Sequence, residues 1–115
     1  MMNAYNQTRN NVIASHVDPA HTSATRMKGL LGKTSMEQNF GLWISPCRSI
    51  HTFFMKFPID VIFLSSSNQV VKLINNMKPF RLSPIVFSAK SVLELSTGAI
   101  EKSGTQIGDQ VVFRS

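Results

Sequence analysis

The sequence predicts a mainly-β domain, α+β by content: a small β-barrel or sandwich with one N-terminal helix and a short helical turn near residues 97–103. Three observations lead there. From Gly41 onward, short runs of β-branched and aromatic residues alternate with clusters of Ser, Asn, Gly and Pro, the pattern of strands and turns. Only one stretch carries a full set of helix start and stop signals. And 115 residues, 43% hydrophobic and 16% charged, suit a single packed core without staples.

The first ten residues are polar and lack periodicity, so they are expected to form a flexible tail, with residues 11–115 as the single domain. "NVIASHV" can make a strand. "DPAHTSATRMKGLLGK" is the helix candidate: Asp18 offers an N-cap oxygen, Pro19 suits the first helical position, and Gly29 or Gly32 can supply a left-handed stop. "GLWIS" is a short apolar strand, and "IDVIFLSSSNQVVKLI" reads as two strands around a polar turn at Ser65–Asn68. In the first of these, Ile59, Val61 and Phe63 share one face and Asp60, Ile62 and Leu64 the other. With apolar residues on both faces, it is expected to be a central strand covered on both sides.

Pro79 and Pro84 break "NNMKPFRLSPIVF", which is expected to be a long connection or an edge segment. "SVLELS" alternates, with Val92 and Glu94 opposite Leu93 and Leu95. "TGAIEKSG" gives a helical turn or two closed by Gly104, and "IGDQVVF" turns at Gly108-Asp109 before a last strand.

Several function classes recede on composition. Cys47 is the sole cysteine, which excludes an intramolecular disulfide and a multi-thiolate zinc site. No apolar run approaches the ~20 residues of a membrane-spanning helix, and no secretory leader is visible, so the chain as written reads as cytoplasmic. A periplasmic or envelope location would follow if a leader had been removed. Twelve Lys and Arg against six Asp and Glu give a net charge of +6, but the basic residues are scattered singly. A nucleic-acid surface therefore requires the fold to gather them.

Reactive side chains concentrate in "CRSIHTFFMKFPID", residues 47–60. A nucleophilic pair of Cys47 and His51, oriented by Asp60 or Glu94, would suit hydrolysis. On a strand, however, the pair would lie about 13 Å apart, and the residues that follow disfavour a helix. The bland alternative is a small thiol and a histidine bonded to a backbone carbonyl. His16, His21 and His51 show no short ligand spacing, so no metal site is expected, and no motif calls for a cofactor. Asp60 and Glu94 stand inside apolar strands, where a carboxylate must be paired or accept several hydrogen bonds. Arg26, Lys56 and backbone N–H groups around Thr52 are the expected partners. Trp43, Phe53, Phe54, Phe57 and Phe63 are expected in the core.

Taken in order, "RMKGLLGK", "GLWISPCRSIHTFFMKFPIDVIFL", "VVKLINNMKPFR" and "AKSVLELSTGAIEKSGTQIGDQV" resemble the DUF192 (UPF0127) family of small prokaryotic proteins. The resemblance covers roughly residues 12–113. It implies a compact, mainly-β domain with one or two short helices, and brings no established biochemical function. It also implies an export or lipoprotein signal in many members and, in some, a link to secretion or pilus assembly. The family pattern falls on Arg26, Gly29, Leu30, Thr52, Met55, Pro58, Asp60, Glu94, Gly98, Gly108 and Asp109. Its polar subset Arg26, Thr52, Asp60 and Glu94, with His51, is the candidate pocket or structural cluster.

The leading expectation is thus a non-catalytic binding or accessory module for a small ligand or a protein partner. A hydrolase-like enzyme using Cys47 or His51, and a non-specific nucleic-acid binder, are the alternatives. Sealing of Arg26, Asp60 and Glu94 together in the core, with no cleft nearby, would count against the pocket form of this reading.

Overall fold

The computed structural model describes residues 2–20 and 34–115. Seven strands form one curled sheet: β1 (Met2–Asn6), β2 (Asn11–Ala20), β3 (Phe40–Ile44), β4 (Ile59–Leu64), β5 (Val70–Met77), β6 (Ser91–Ser96) and β7 (Val111–Arg114). A short helix, α1 (Ala99–Ser103), lies between β6 and β7. The strand order is β5-β4-β6-β3-β2-β1-β7. Every neighbouring pair is antiparallel except β2 and β3, which run parallel. Parallel neighbours require a crossover connection, here residues 21–39.

Two expectations about the N-terminus change. The supposed tail contributes β1, which sits between β2 and β7 rather than fraying. Its inward residues are Ala4 and Asn6, one small and one polar, so no hydrophobic periodicity announces it. Asp18 and Pro19, read as a helix start, instead end β2, with Pro19 in register with Trp43. The His16 N–H bonds Asn39, so the Pro19 nitrogen faces away from β3; on that side the described pairing with β1 stops at Val17. Proline's missing donor costs the ladder nothing at such a place. The remainder of the expected helix, residues 21–33, lies outside the described residues.

The middle of the sheet follows the sequence pattern. All six residues of β4 are buried. Ile59, Val61 and Phe63 join Val92, Ile44, Ile50, Met55 and Phe57 in a core on one face. Ile62 and Leu64 join Leu93, Leu95, Val17, Ile100 and Val111 on the other. Gly41 of β3 packs against this second core, and a Cβ there would come within 3.1 Å of Leu95 and 3.3 Å of Ala14. The glycine thus allows the close approach of β3 to its neighbours.

Curling brings the start of β5 to the turn before β7. Val70 N–H bonds the Asp109 carbonyl, Gly108 N–H bonds that of Val70, and Val111 N–H bonds that of Asn68. At the other end of β5 the sheet stays open and gives way to two long loop segments, 45–58 and 78–90. Among the described residues, no helix is long and apolar enough to cross a membrane.

Candidate functional site

Asp60 is 1% exposed, and its side chain leaves β4 on the face opposite Val61. One carboxylate oxygen accepts from Asn76 N–H at 2.8 Å; the other accepts from Gly98 N–H at 3.1 Å and Ile100 N–H at 2.9 Å. Gly98, at φ 93°, has no side chain to cap α1, so a carboxylate 38 positions away satisfies its first turn. The expected saturation with backbone hydrogen bonds is there. The partners are β5 and the turn before α1, rather than Lys56 or the Thr52 backbone.

Thr52 is also buried. Its hydroxyl donates to the Lys78 carbonyl at 2.6 Å and accepts from Arg81 N–H at 2.9 Å. Its own N–H bonds the Arg81 carbonyl, and its carbonyl accepts from Met55 and Phe80. Thr52 therefore clamps the 45–58 loop to the 78–90 loop. The clamp continues as an antiparallel run: His51 bridges Leu82, Ser83 N–H bonds Ile50, and Val86 N–H bonds Arg48.

Cys47 and His51 sit in this loop, neither on a helix nor on a strand of the sheet. The Cys47 thiol donates to the Ser49 carbonyl at 3.1 Å. The His51 ring stacks on Phe53 with centroids 5.0 Å apart, and its Nδ1 accepts from Phe53 N–H at 3.3 Å. Cys47 also packs against the apolar core. Glu94 is fully buried. Opposite Val61 and Leu42 in register, it shares their face. Asp60 and Glu94 thus project to opposite sides of the sheet and do not share a pocket. Arg26 lies outside the described residues. Among the described residues, no three His, Cys, Asp or Glu side chains converge as metal ligands would.

A polar cluster that the sequence does not announce closes the curled end. Buried Asn6 donates to Thr105 at 3.1 Å and to the Asp109 carboxylate at 2.9 Å. Arg9 Nε reaches the same carboxylate at 2.7 Å, and Gln106 N–H donates to it at 2.9 Å. Burial alone would raise the Asp109 pKa. The hydrogen bonds from Arg9, Asn6 and Gln106, together with the Arg9 charge, outweigh burial and hold it below the ordinary aspartate value. The sequence shows only a turn at Gly108-Asp109 here, because the partners Asn6 and Arg9 are about a hundred residues away.

Grooves are shallow. A groove of ≈ 340 Å³ runs between β2 and α1, lined by Asn11, Ile13, Asn39, Thr97, Gly98 and Lys102 among others. Of the described candidates, His51, Thr52, Asp60 and Glu94 do not line it. A depression of ≈ 250 Å³ lies against Pro46, Cys47, Arg48 and Lys90.

The clearest departure from expectation is the clamped loop pair itself. Phe57 and Phe63 are in the core, as expected, and Trp43 is half-buried, stacked 3.9 Å from Phe113. Phe53 and Phe54 are exposed, Phe54 by 67%, and they are joined by Phe80, Leu82 (68%), Ile85 and Phe87 (81%). Phe54 and Phe80 meet edge to face, 5.9 Å between centroids. Both have left-handed backbones, at φ 66° and 60°, uncommon for a bulky side chain. Arg48, Lys56, Lys78, Arg81 and Lys90 are exposed on the same two segments, and no acidic residue occurs in 46–59 or 77–93. The fold gathers basic residues that look scattered in the sequence. Those two acid-free stretches, each with prolines, phenylalanines and basic residues, are the signal that could have revealed the face.

The chain has clear relatives. The profile of the DUF192 family, described as an uncharacterized ACR, matches residues 4–113. A UPF0127 protein of Thermococcus sibiricus is 36% identical over 112 residues, covering 92% of this chain and 71% of the relative. One from Thermococcus gammatolerans is 31% identical over 111 residues with the same coverage. Among solved structures, a protein of unknown function from Novosphingobium aromaticivorans superposes with a TM-score of 0.79 at 23% identity, over 96% of this chain and 82% of that one. A protein of Sinorhizobium meliloti described as a putative transcription regulator gives 0.74 at 19% identity, over 97% and 91%. These two structures share the fold. On the extent of the profile match and of the archaeal relatives, the chain belongs to the DUF192 family.

Proposed function

We propose that this chain is a non-catalytic binding module whose contact face is the clamped loop pair 45–58 and 78–90. One observation carries the reading. Six large apolar side chains stand exposed on two segments that backbone hydrogen bonds and Thr52 hold together, while the reactive-looking Asp60 and Thr52 are occupied by backbone groups. Exposed apolar side chains brought together on joined segments, as Phe54 and Phe80 are, mark an interaction surface more often than scattered ones do. Left-handed phenylalanines add to this, since strained backbone persists where function requires it. The burial of Asp60 and Glu94 on opposite faces weighs against the small-ligand form of the reading.

The test is photo-crosslinking in the protein's native cells, with benzoylphenylalanine in place of Phe54 or Phe87. Ile107, exposed near the start of β5, is the control position. Discrete adducts from positions 54 and 87 and none from 107 are expected. Equal, diffuse labelling from all three would sink the reading.

The enzyme alternative has one favouring observation, the Cys47 thiol beside Arg48 and Lys90 in the small depression. Cations lower a thiol pKa and quicken its reaction. Rapid alkylation of Cys47 at neutral pH, compared with free cysteine, would support it; sluggish alkylation would remove it.

A further inference from the structure

We propose that the partner of the loop face is an anionic membrane surface, with the phenylalanines entering the headgroup layer and the surrounding Lys and Arg meeting lipid phosphates. The proposal rests on the contact-face reading above and names the partner.

Three features of the face select this partner. Its charge is of one sign: five exposed cations and no carboxylate on either segment. That composition complements a negatively charged leaflet, to which each nearby Lys or Arg adds attraction. It opposes a second copy of this chain, because a two-fold contact would set the cations against one another. Its aromatic groups protrude, with Phe54 and Phe87 67% and 81% exposed on loop segments, and Leu82, 68% exposed, stands at the edge of an open groove of ≈ 430 Å³ bordered by Lys78 and Arg81. Protruding aromatic and aliphatic side chains bounded by Lys and Arg suit a soft, deformable interface. A protein partner would need matching pockets. Finally, Leu82 and Ile85 share the exposure of the phenylalanines. Aliphatic groups have no ring to stack on a base, so single-stranded nucleic acid would use only part of this surface, whereas lipid tails accept all of it.

The backbone favours the same arrangement. Phe54 and Phe80 are held in left-handed conformations, where Asn and Gly are at ease. Each thereby carries its ring outward to meet the other at the tip. Substitution by Asn keeps the backbone and removes the ring.

The experiment is co-sedimentation of the full chain with vesicles of phosphatidylcholine alone or with phosphatidylglycerol added, at low and high salt. Wild type is expected to bind the anionic vesicles at low salt and to leave them as salt rises. Phe54→Asn with Phe80→Asn is expected to lose about 10-fold or more in partitioning at unchanged melting temperature. Leu82→Ser with Phe87→Ser, at ordinary backbone positions, provides the independent second variant. Absence of binding to anionic vesicles at low salt overturns the lipid assignment. So does equal binding by wild type and both variants, which would reduce it to charge alone, or displacement from vesicles by sub-stoichiometric oligonucleotide. If vesicles fail while the crosslinker at position 54 labels a protein, the contact face stands and only its partner is wrong. If neither gives a signal, both fall.

Discussion

The two ends of β5 are built on opposite principles. At Val70 the sheet closes against the turn before β7, and the side chains there are polar and joined: buried Asn6, Thr105 and Asp109, with Arg9 reaching in from the surface. At Met77 the sheet opens into loops whose outward side chains are large and apolar. A protein arranged for stability alone would place these the other way round. Buried polar groups cost free energy unless every one is satisfied, and exposed phenylalanines forgo burial. The closed end spends its polar groups on fixing register between the first and last strands. The open end leaves apolar surface unused by the fold, and so available to something else.

Substitutions can break this contrast. The largest effect is expected from Asp60→Ala, which orphans the N–H groups of Asn76, Gly98 and Ile100. A loss of about 4 kcal/mol in urea unfolding is expected, with accelerated amide exchange at Gly98 and Ile100. A change under about 1 kcal/mol would mean that water replaces the carboxylate without cost.

Next comes Asp109→Asn at the closed end, expected to lose about 2 kcal/mol at neutral pH. The pH dependence gives its sign. Because the folded-state pKa of Asp109 is lowered, the ionised carboxylate stabilises the fold above the ordinary aspartate value and that stability is lost as pH falls below it. Wild type should therefore weaken below about pH 4, and Asp109→Asn should show a shallower decline there. Parallel declines would remove Asp109 from the account of acid unfolding.

Thr52→Val takes away the hydroxyl that bonds Lys78 and Arg81. A loss of about 1.5 kcal/mol is expected, with faster exchange of the Arg81 and Phe80 amides while those of β4 stay protected. Uniform acceleration across the chain would show that the clamp is part of the global fold rather than a local device.

Smallest, and reversed in sign, is the effect at the tip. Phe54→Gly or Phe80→Gly relieves a left-handed backbone while removing an exposed ring. Stability is expected to hold or to rise by up to about 1 kcal/mol, measured by thermal unfolding. A clear fall would show that the rings hold the loops together, and would blur the distinction between the two ends.

Much of the central sheet was readable because its side chains repeat with the period of a strand. Ile59 to Leu64, apolar on both faces, could only be a covered central strand, and Ser65–Asn68 and Gly108-Asp109 mark their turns by residue type. β1 escaped because its inward positions are Ala4 and Asn6. Asp18-Pro19 misled because the same pair can cap a helix or end a strand, and only its neighbours decide. For the site, the sequence identified which polar residues must be satisfied but not by what. Asp60 is answered by residues 16 to 40 positions away, and Asn6 by one 103 positions away, distances at which local patterns carry no information. The aromatic face was illegible for a related reason: Phe53 and Phe57 look alike in sequence, yet only Phe57 turns into the core.

The pairing of β1 with β7 also sets an order in time. Asn6 bonds Asp109 across 103 positions, and β1 is joined on one side by β7, far later in the chain. At roughly 5–20 residues per second, β1 waits on the order of ten seconds for its partner. During that interval the hairpin of β1 and β2 has an open edge and the closed end does not exist. Loop closure over such a separation comes late and slowly. The seam between β1 and β7 is therefore the last part of the sheet to form.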